Sequence, residues 1–418
     1  MKVTSVKGTN DYLPSEVELR DYLQNTILNI YKENGFEHIV TPAIEDMENL
    51  DKSDGGENLN LIFEILKRGD KLTKAINNAV ASGDAPAHYK ELCDLGLRYD
   101  LTLPLSRYYA NNKEKLTLPA KFIQMDRVYR AERPQKGRLR EFVQCDIDII
   151  GSESNDSEVE LILTTTKALD AIGMKNYKVK INDRRILRNC LKGFGFKEED
   201  LDSVCITFDK MDKIGSSGVA EELKAKSFDE TAVEKFVAFL EKGDYSLDYV
   251  KTLVEDKAPI ESVETIIAHV DKLKKIDFDI VFDLSLVRGQ GYYTGTVFEV
   301  ESIDFKGAIA GGGRYDNLIG KFLNQDIPAV GFSIGFERIY TILMEHGTEL
   351  ECRAKRMAVM YEEGNVEGAY AAAEKVRAKG IAASIFVKPK KLGKFLDKLA
   401  NEGYTGFVDV EKETEKEF

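Results

Sequence analysis

The sequence has little of what several large protein classes require. No apolar run approaches the ~18 residues of a membrane-crossing helix, and Met1-Lys-Val-Thr4 opens the chain without a hydrophobic signal core. The expectation is a protein that is neither secreted nor membrane-spanning. Cys93, Cys145, Cys190, Cys205 and Cys352 lie far apart with no C-x-x-C pair, which argues against a zinc ribbon and for a reducing, cytoplasmic setting. His38, His88, His269 and His346 are equally scattered, with no pair at metal-ligand spacing. Hydrolases with histidine-held metals, and enzymes built on a histidine base, become poor candidates. A G-x-x-x-x-G-K-[ST] phosphate loop is also missing.

What is there begins with size. The 418 residues correspond to roughly three domains at about 150 residues each. Apolar residues at 43% and charged residues at 31% are ordinary for a globular chain. A formal charge of −13 disfavours a generic coat for DNA or other nucleic acid, because such binding rests on clustered Lys and Arg. One such cluster nevertheless exists: Arg127, Arg130, Arg133, Lys136, Arg138 and Arg140. Concentrated arginine in an acidic chain suggests a phosphate-bearing ligand in a defined site, since the planar guanidinium holds phosphate oxygens in pairs.

Periodicity then outlines the elements. Ser15 and Glu18 form an S-x-x-E capping box, Leu19, Leu23, Ile27 and Ile30 share a helical face, and Gly35 is placed to end the helix. A strand is expected over Phe36–Pro42, with loops at Ser53–Gly56 and Ala81–Ala87, and strands prevail from Leu97 to Ile150. Within Phe142–Ile150, Val143, Cys145, Ile147 and Ile149 alternate with Gln144, Asp146 and Asp148. Taken by itself, the plainer reading is a half-exposed strand; the sharper one is a polar face lining a site. A helix, a strand and a second helix follow to about Phe196, and Lys197–Lys275 reads as a helical insertion because strands resume at Phe278 and Thr296. From Lys355, strand–helix alternation describes a small α/β domain with Lys388, Lys390, Lys391, Lys394 and Lys398 along one region. These lysines read as a solvated face or as an RNA contact.

Two glycine-rich elements stand out. Arg288-Gly-Gln-Gly-Tyr-Tyr-Thr-Gly295 precedes a strand-like segment instead of a helix, so a dinucleotide-binding reading fails on context; Gly311-Gly-Gly-Arg-Tyr-Asp-Asn317 is the second. Val128–Asp148 reads as strand, polar turn and returning strand, with arginines running from the turn into apolar arms. Charge in such arms is costly to desolvate unless an anion compensates.

These segments match a known family along nearly the whole chain and in order. The chain resembles histidyl-tRNA synthetases of class II: Gly35–Pro42 is similar to motif 1, Tyr129–Phe142 to motif 2, and Pro328–Arg338 to motif 3. Leu286–Glu299 and Gly312–Asp316 resemble the histidine-specific signatures, and Leu97–Thr102 the amino-acid-binding strand. The resemblance implies an α+β fold: an antiparallel six-stranded sheet flanked by helices, a helical insertion and an anticodon-binding-like α/β domain. It divides the chain into core residues 1–196, insertion 197–275, core 276–350 and a short C-terminal domain 355–418. The last of these is expected to stop after its third strand, at Val410.

The resemblance further implies activation of L-histidine by ATP and transfer to tRNA(His), in a homodimer joined through motif 1. Arg130 and Arg288 would be catalytic, gripping carboxylate and α-phosphate. Phe142 would stack adenine, Glu132 would lie near its amino edge, and Arg130, Arg138 and Arg338 would hold phosphates, with Mg2+ bridging those phosphates and no dedicated protein metal site. Asp100, Thr102 and Gln144 would surround the α-ammonium, and Asp148, Tyr293 and Tyr315 the imidazole with Tyr292 adjacent, while Leu101, Arg130 and Arg288 complete the histidine-binding set. Gln135, Lys136, Lys391 and Lys394 would face tRNA. The competing reading is a non-enzymatic regulatory subunit of ATP phosphoribosyltransferase, which resembles the synthetase core and typically lacks the anticodon domain. The intact arginine set, the complete histidine pattern and the α/β tail weigh against it.

Overall fold

The computed structural model describes residues 3–52, 61–81, 89–134, 138–208, 210–226, 228–286, 292–304, 307–345 and 355–418. The expected loops at Ser53–Gly56 and, beyond Ala81, up to Ala87 lie outside these residues. The chain divides into two compact units, Met1–Asn10 with Thr26–His346, and Asp11–Asn25 with Gly347–Phe418.

The first long element is α1, Pro14–Glu33. Its start differs from the expected capping box by two residues: Pro14 takes the first helical position, and Glu16 Oε2 accepts from the Leu13 N–H at 2.6 Å. Ile27 and Tyr31 are fully buried, and Gly35, at φ +83°, follows the helix in the left-handed conformation that Gly tolerates. Only β1, Glu37–His38, forms where a longer strand was expected. Strands β2 (Ile44–Asp46), β3 (Phe63–Leu66) and β4 (Cys93–Leu97) make a small antiparallel sheet in the order β2-β4-β3, with helix α2 (Asp70–Ala81) between β3 and β4 in the chain.

The large sheet also contains β5 (Ala120–Tyr129), β6 (Glu141–Ile150), β7 (Tyr177–Asp183), β8 (Asp279–Phe282), β9 (Thr296–Ser302), β10 (Gly307–Arg314) and β11 (Ala329–Gly335). Its order is β1-β5-β6-β11-β10-β9-β7-β8. The six central strands are antiparallel, as expected, and a short parallel strand is added at each edge, β1 on β5 and β8 on β7. The half-exposed reading of β6 is overturned: Asp146 and Asp148 are buried together with Cys145 and Ile147.

Helices α3 (Thr102–Asn112), α4 (Asp156–Ala171) and α5 (Arg184–Phe194) accompany this sheet. The first corrects the sequence reading. β4 ends at Leu97, and Thr102 opens a helix, so Asp100 and Thr102 do not share a strand face. Asp100 Oδ1 instead accepts from the Leu103 N–H at 3.2 Å, satisfying a donor of the first turn. The insertion is helical: α6 (Leu201–Phe208), α7 (Met211–Ala225), α8 (Glu230–Lys242), α9 (Leu247–Leu253) and α10 (Ala258–Leu273). Phe236 lies within 6.1 Å, centroid to centroid, of Phe194, Phe196, Phe208 and Phe239, which gives this segment its own aromatic core joined to α5. Helices α11 (Asp316–Leu323) and α12 (Phe336–Glu345) follow β10 and β11.

In the second unit, β12 (Arg356–Tyr361), β13 (Ala382–Val387) and β14 (Gly406–Asp409) are parallel, connected through α13 (Val366–Arg377) and α14 (Leu392–Asn401). Alternation along β12 feeds two cores. Ala358 and Met360 pack with Leu399 and Tyr404, whereas Val359 packs with Ala369 and Ala373. The domain does not stop at its third strand. The charged tail supplies β15, Thr414–Glu417, antiparallel to β14, and Phe418 stacks on Phe407 at 5.9 Å. An exposed edge strand made of alternating Glu and Lys escapes hydrophobic pattern recognition, because neither face is apolar.

Candidate active site

A cleft of about 360 Å³ opens over β6, β10 and β11. Its floor is glycine because backbones and side chains approach too closely for a Cβ. A Cβ on Gly331 would sit 1.9 Å from Asp148 Oδ1, and one on Gly312 would sit 1.9 Å from the Gly331 carbonyl oxygen. The register explains the first contact, since Gly331 is paired across the ladder with Asp148.

One end of the cleft is a carboxylate ringed by phenols. Tyr315 Oη donates to Asp148 Oδ1 at 2.6 Å, and Tyr292 packs edge-on against both Tyr293 and Tyr315. Tyr292 and Tyr315 also belong to the hydrophobic core, so core packing locks the rings that line the site. Two further carboxylates, Asp100 and Asp146, line the same space. Burial pushes Asp148 up to about 7, against the lowering pull of the Tyr315 hydrogen bond. Burial pushes Asp100 up to about 6, opposed by the Leu103 amide and Arg130. Asp146 is raised well above the usual carboxylate range, by burial first and then by Asp148. Such a site favours a ligand that brings cationic or N–H donor groups.

The other end is cationic. Arg130 Nε donates to the Tyr99 carbonyl at 3.1 Å, and its guanidinium carbon stands 5.0 Å from the centre of the Phe142 ring. That anchoring leaves its terminal N–H groups for a ligand. Arg138 Nη1 and Glu132 Oε2 are 3.7 Å apart, Arg338 donates to the Ala308 carbonyl, and Glu337 accepts from the Val143 N–H at 3.3 Å. All of these side chains line the cleft. Among the described residues, no group of three or more His, Cys, Asp and Glu side chains could hold a metal. A magnesium ion that keeps its waters and phosphate oxygens would need only one or two carboxylates, and Glu132 and Glu337 are carboxylates of the cleft lining.

Around the site, buried arginines fix the frame. Arg314 makes two bonds to Glu158, at 2.7 and 2.8 Å, and Thr296 Oγ1 donates to the same fully buried carboxylate. Arg98, 1% exposed, donates to the Thr41 and Arg127 carbonyls and pairs with Asp126 at 2.7 Å.

The structure gathers Asp100, Thr102, Arg130, Glu132, Arg138, Phe142, Gln144, Asp148, Tyr292, Tyr293, Tyr315 and Arg338 into one cleft. Leu101 does not line it; its side chain is fully buried and its carbonyl accepts from Gln124 at 2.7 Å. Arg288, Gln135 and Lys136 lie outside the described residues. Lys391 and Lys394 belong to the second unit, exposed at the start of α14. Sequence reasoning gave no role to Asp146, Ser333 and Glu337. Asp146 was detectable, because it shares the polar face of β6 with Gln144 and Asp148.

A six-stranded antiparallel platform carrying an arginine-lined groove beside a polar pocket is the architecture of class II aminoacyl-tRNA synthetases. Comparison with known proteins gives the particular branch. The family model described as histidyl-tRNA synthetase matches residues 91–339. The chain is 38% identical to a histidine–tRNA ligase of Leifsonia xyli over 99% of its own length and 96% of the relative's. It is 34% identical to that of Porphyromonas gingivalis over 98% and 92%. The crystal structure of histidyl-tRNA synthetase from Nostoc sp. PCC 7120 superposes with a TM-score of 0.79 at 26% identity, covering 100% of this chain and 97% of that one. The chain belongs to the histidyl-tRNA synthetase family.

Proposed function

We propose that this chain is a histidine–tRNA ligase, which condenses L-histidine with ATP to histidyl-adenylate and pyrophosphate and then moves the histidyl group to the 3′-terminal adenosine of tRNA(His). The observation that carries this reading is the single cleft with Asp148, Tyr315, Tyr292 and Tyr293 at one end and Arg130, Phe142 and Arg338 at the other. An imidazole matches the first set, with a carboxylate and phenols for its two nitrogens. An apolar amino acid there would leave buried polar groups unpaired. Relatives of 34% and 38% identity carry the same name over nearly full length, which favours the ligase over a regulatory subunit.

The first step needs no base. A histidine carboxylate oxygen attacks the α-phosphorus, the bond to the bridging oxygen breaks, and pyrophosphate leaves. Orientation and charge neutralisation are what the protein supplies. Arg130 is assigned to the carboxylate and α-phosphate, Phe142 to the adenine face, Glu132 to its amino edge, and Arg138 and Arg338 to the outer phosphates. Magnesium, when bound, would supply charge neutralisation at the phosphates. From the family resemblance, Arg288 is assigned as the second cation at the α-phosphate. In the second step the terminal ribose hydroxyl attacks the adenylate carbonyl, and AMP departs.

The lysines of α14 support an RNA contact for the C-terminal domain. Lys391 and Lys394 crowd the positive end of the helix dipole, an unfavourable placement that a phosphate would relieve. Gln135 and Lys136 are assigned to tRNA on resemblance. Homodimerisation through motif 1 is consistent with exposed Val40 and Ile44. A cytoplasmic location accords with Cys93, Cys145, Cys190 and Cys205, buried as free thiols. The test is histidine-dependent exchange of labelled pyrophosphate into ATP, followed by charging of tRNA. Exchange and charging are both expected, and exchange is lost in Arg288→Ala; no exchange by the natural chain would overturn the reading.

A further inference from the structure

Two buried acceptors in the cleft have no hydrogen-bond partner among the described residues: Asp100 Oδ2 and Gln144 Oε1. Buried acceptors are nearly always satisfied, so a pair left open in one cavity points to a ligand with N–H groups. What leaves the Gln144 oxygen open is its own amide nitrogen. Nε2 donates to Ser333 Oγ at 3.0 Å and approaches Asp146 Oδ1 at 3.4 Å. Ser333 is itself the cross-strand partner of Asp146 in the β6–β11 ladder. The amide nitrogen thus faces two oxygens, Ser333 Oγ and Asp146 Oδ1, and both are placed to accept from NH2. Turned over, the amide would set its oxygen against these two oxygens and leave the nitrogen facing the ligand.

We infer that Ser333, beside Asp146, is a positioning residue that orients the Gln144 amide so that its oxygen, together with Asp100, receives the α-ammonium of the amino-acid substrate. This assignment rests on the proposed histidine site and adds to it a pair of residues that touch Gln144 instead of the ammonium. The two members come from different parts of the chain, 189 residues apart in the Gln144–Ser333 bond, so the device exists only in the folded sheet. Ser333 is partly exposed to the cleft and carries no packing role comparable to Ile334 or Phe332, which are buried. Its removal should therefore change orientation and not the fold.

The experiment is equilibrium binding of two fragments of histidine to the natural chain and to Ser333→Ala. Histidinol keeps the ammonium and lacks the carboxylate; imidazolepropionate keeps the carboxylate and lacks the ammonium. Losing one oriented hydrogen bond to a charged group predicts roughly tenfold weaker histidinol binding, with imidazolepropionate changed less than about twofold. The pyrophosphate exchange assay should show the same split, a raised KM for histidine with little change in kcat or in the KM for ATP. Equal weakening of both fragments would mean a general disturbance of the pocket and would overturn the assignment, as would no change in either. Absence of either fragment's binding to the natural chain would also overturn it. The exchange assay on the natural chain judges the ligase reading separately, since fragment discrimination without exchange would retain the ammonium site and reject the catalytic function.

Discussion

Tyr315 donates its phenolic hydrogen to Asp148 Oδ1 at 2.6 Å, on a floor where the paired Gly331 leaves no room for a Cβ. The contact ties one oxygen of the buried carboxylate to the phenol. It also joins the polar face of β6 to the Gly312–Asp316 segment, one of the two histidine-specific signatures. Several consequences can be measured.

Stability should depend on pH through Asp148. Its folded pKa, about 7, lies above the ordinary carboxylate value of 3.8, so the folded state holds the proton more tightly. The associated stability is fully present below the unfolded value and is lost as pH rises towards and through 7. Asp148→Asn should therefore raise the melting temperature at pH 8 and change it little at pH 4, while histidine binding is lost at both. Thermal melts at the two pH values check this, and an equal fall at both would contradict it.

Replacing Phe142 tests the nucleotide end alone. Phe142→Ala removes the ring beside Arg130 and should raise the KM for ATP about tenfold, on a stacking contribution of about 1–3 kcal/mol. The KM for histidine should stay within about twofold, read from pyrophosphate exchange at varied concentrations of each substrate.

Gly331→Ala should abolish histidine binding while the ATP end keeps its affinity. The new methyl would meet Asp148 Oδ1 at 1.9 Å and the Tyr315 ring at 3.3 Å. Titration of histidine and of ATP separately resolves the two ends.

Arg314→Ala leaves the Glu158 carboxylate buried without its bidentate partner. Loss of one member of such a pair costs about 3–5 kcal/mol. A melting temperature lower by several degrees is expected, read by calorimetry.

Much of the fold was readable in advance where local pattern and tertiary environment agree. The alternation in β6, the arginine hairpin of β5 and β6, the helical insertion and the strand–helix alternation after Lys355 each carry a period that burial then used. The misreadings share a cause. The resemblance makes Leu97–Thr102 a strand, on which Asp100 and Thr102 would share a face; the chain instead leaves β4 after Leu97, and Asp100 accepts from the first turn of α3. The half-exposed reading of β6 fails because a single strand cannot reveal that Tyr315 and Asp100, from elsewhere in the chain, will pack beside Asp146 and Asp148 in the cleft.

The sequence by itself determined the identities that chemistry requires: arginines for phosphate, tyrosines and aspartates for a heteroaromatic amino acid, and glycines where no side chain fits. These are covalent facts, legible at short range. Only the tertiary structure decided which of them meet. The raised carboxylates at Asp100 and Asp148 arise from desolvation, which no isolated segment possesses. The orientation of the Gln144 amide comes from a serine on another strand, and the charged tail becomes β15 only because β14 offers an open edge. Burial and hydrogen-bond direction are properties of neighbours, and neighbours are assigned by the fold.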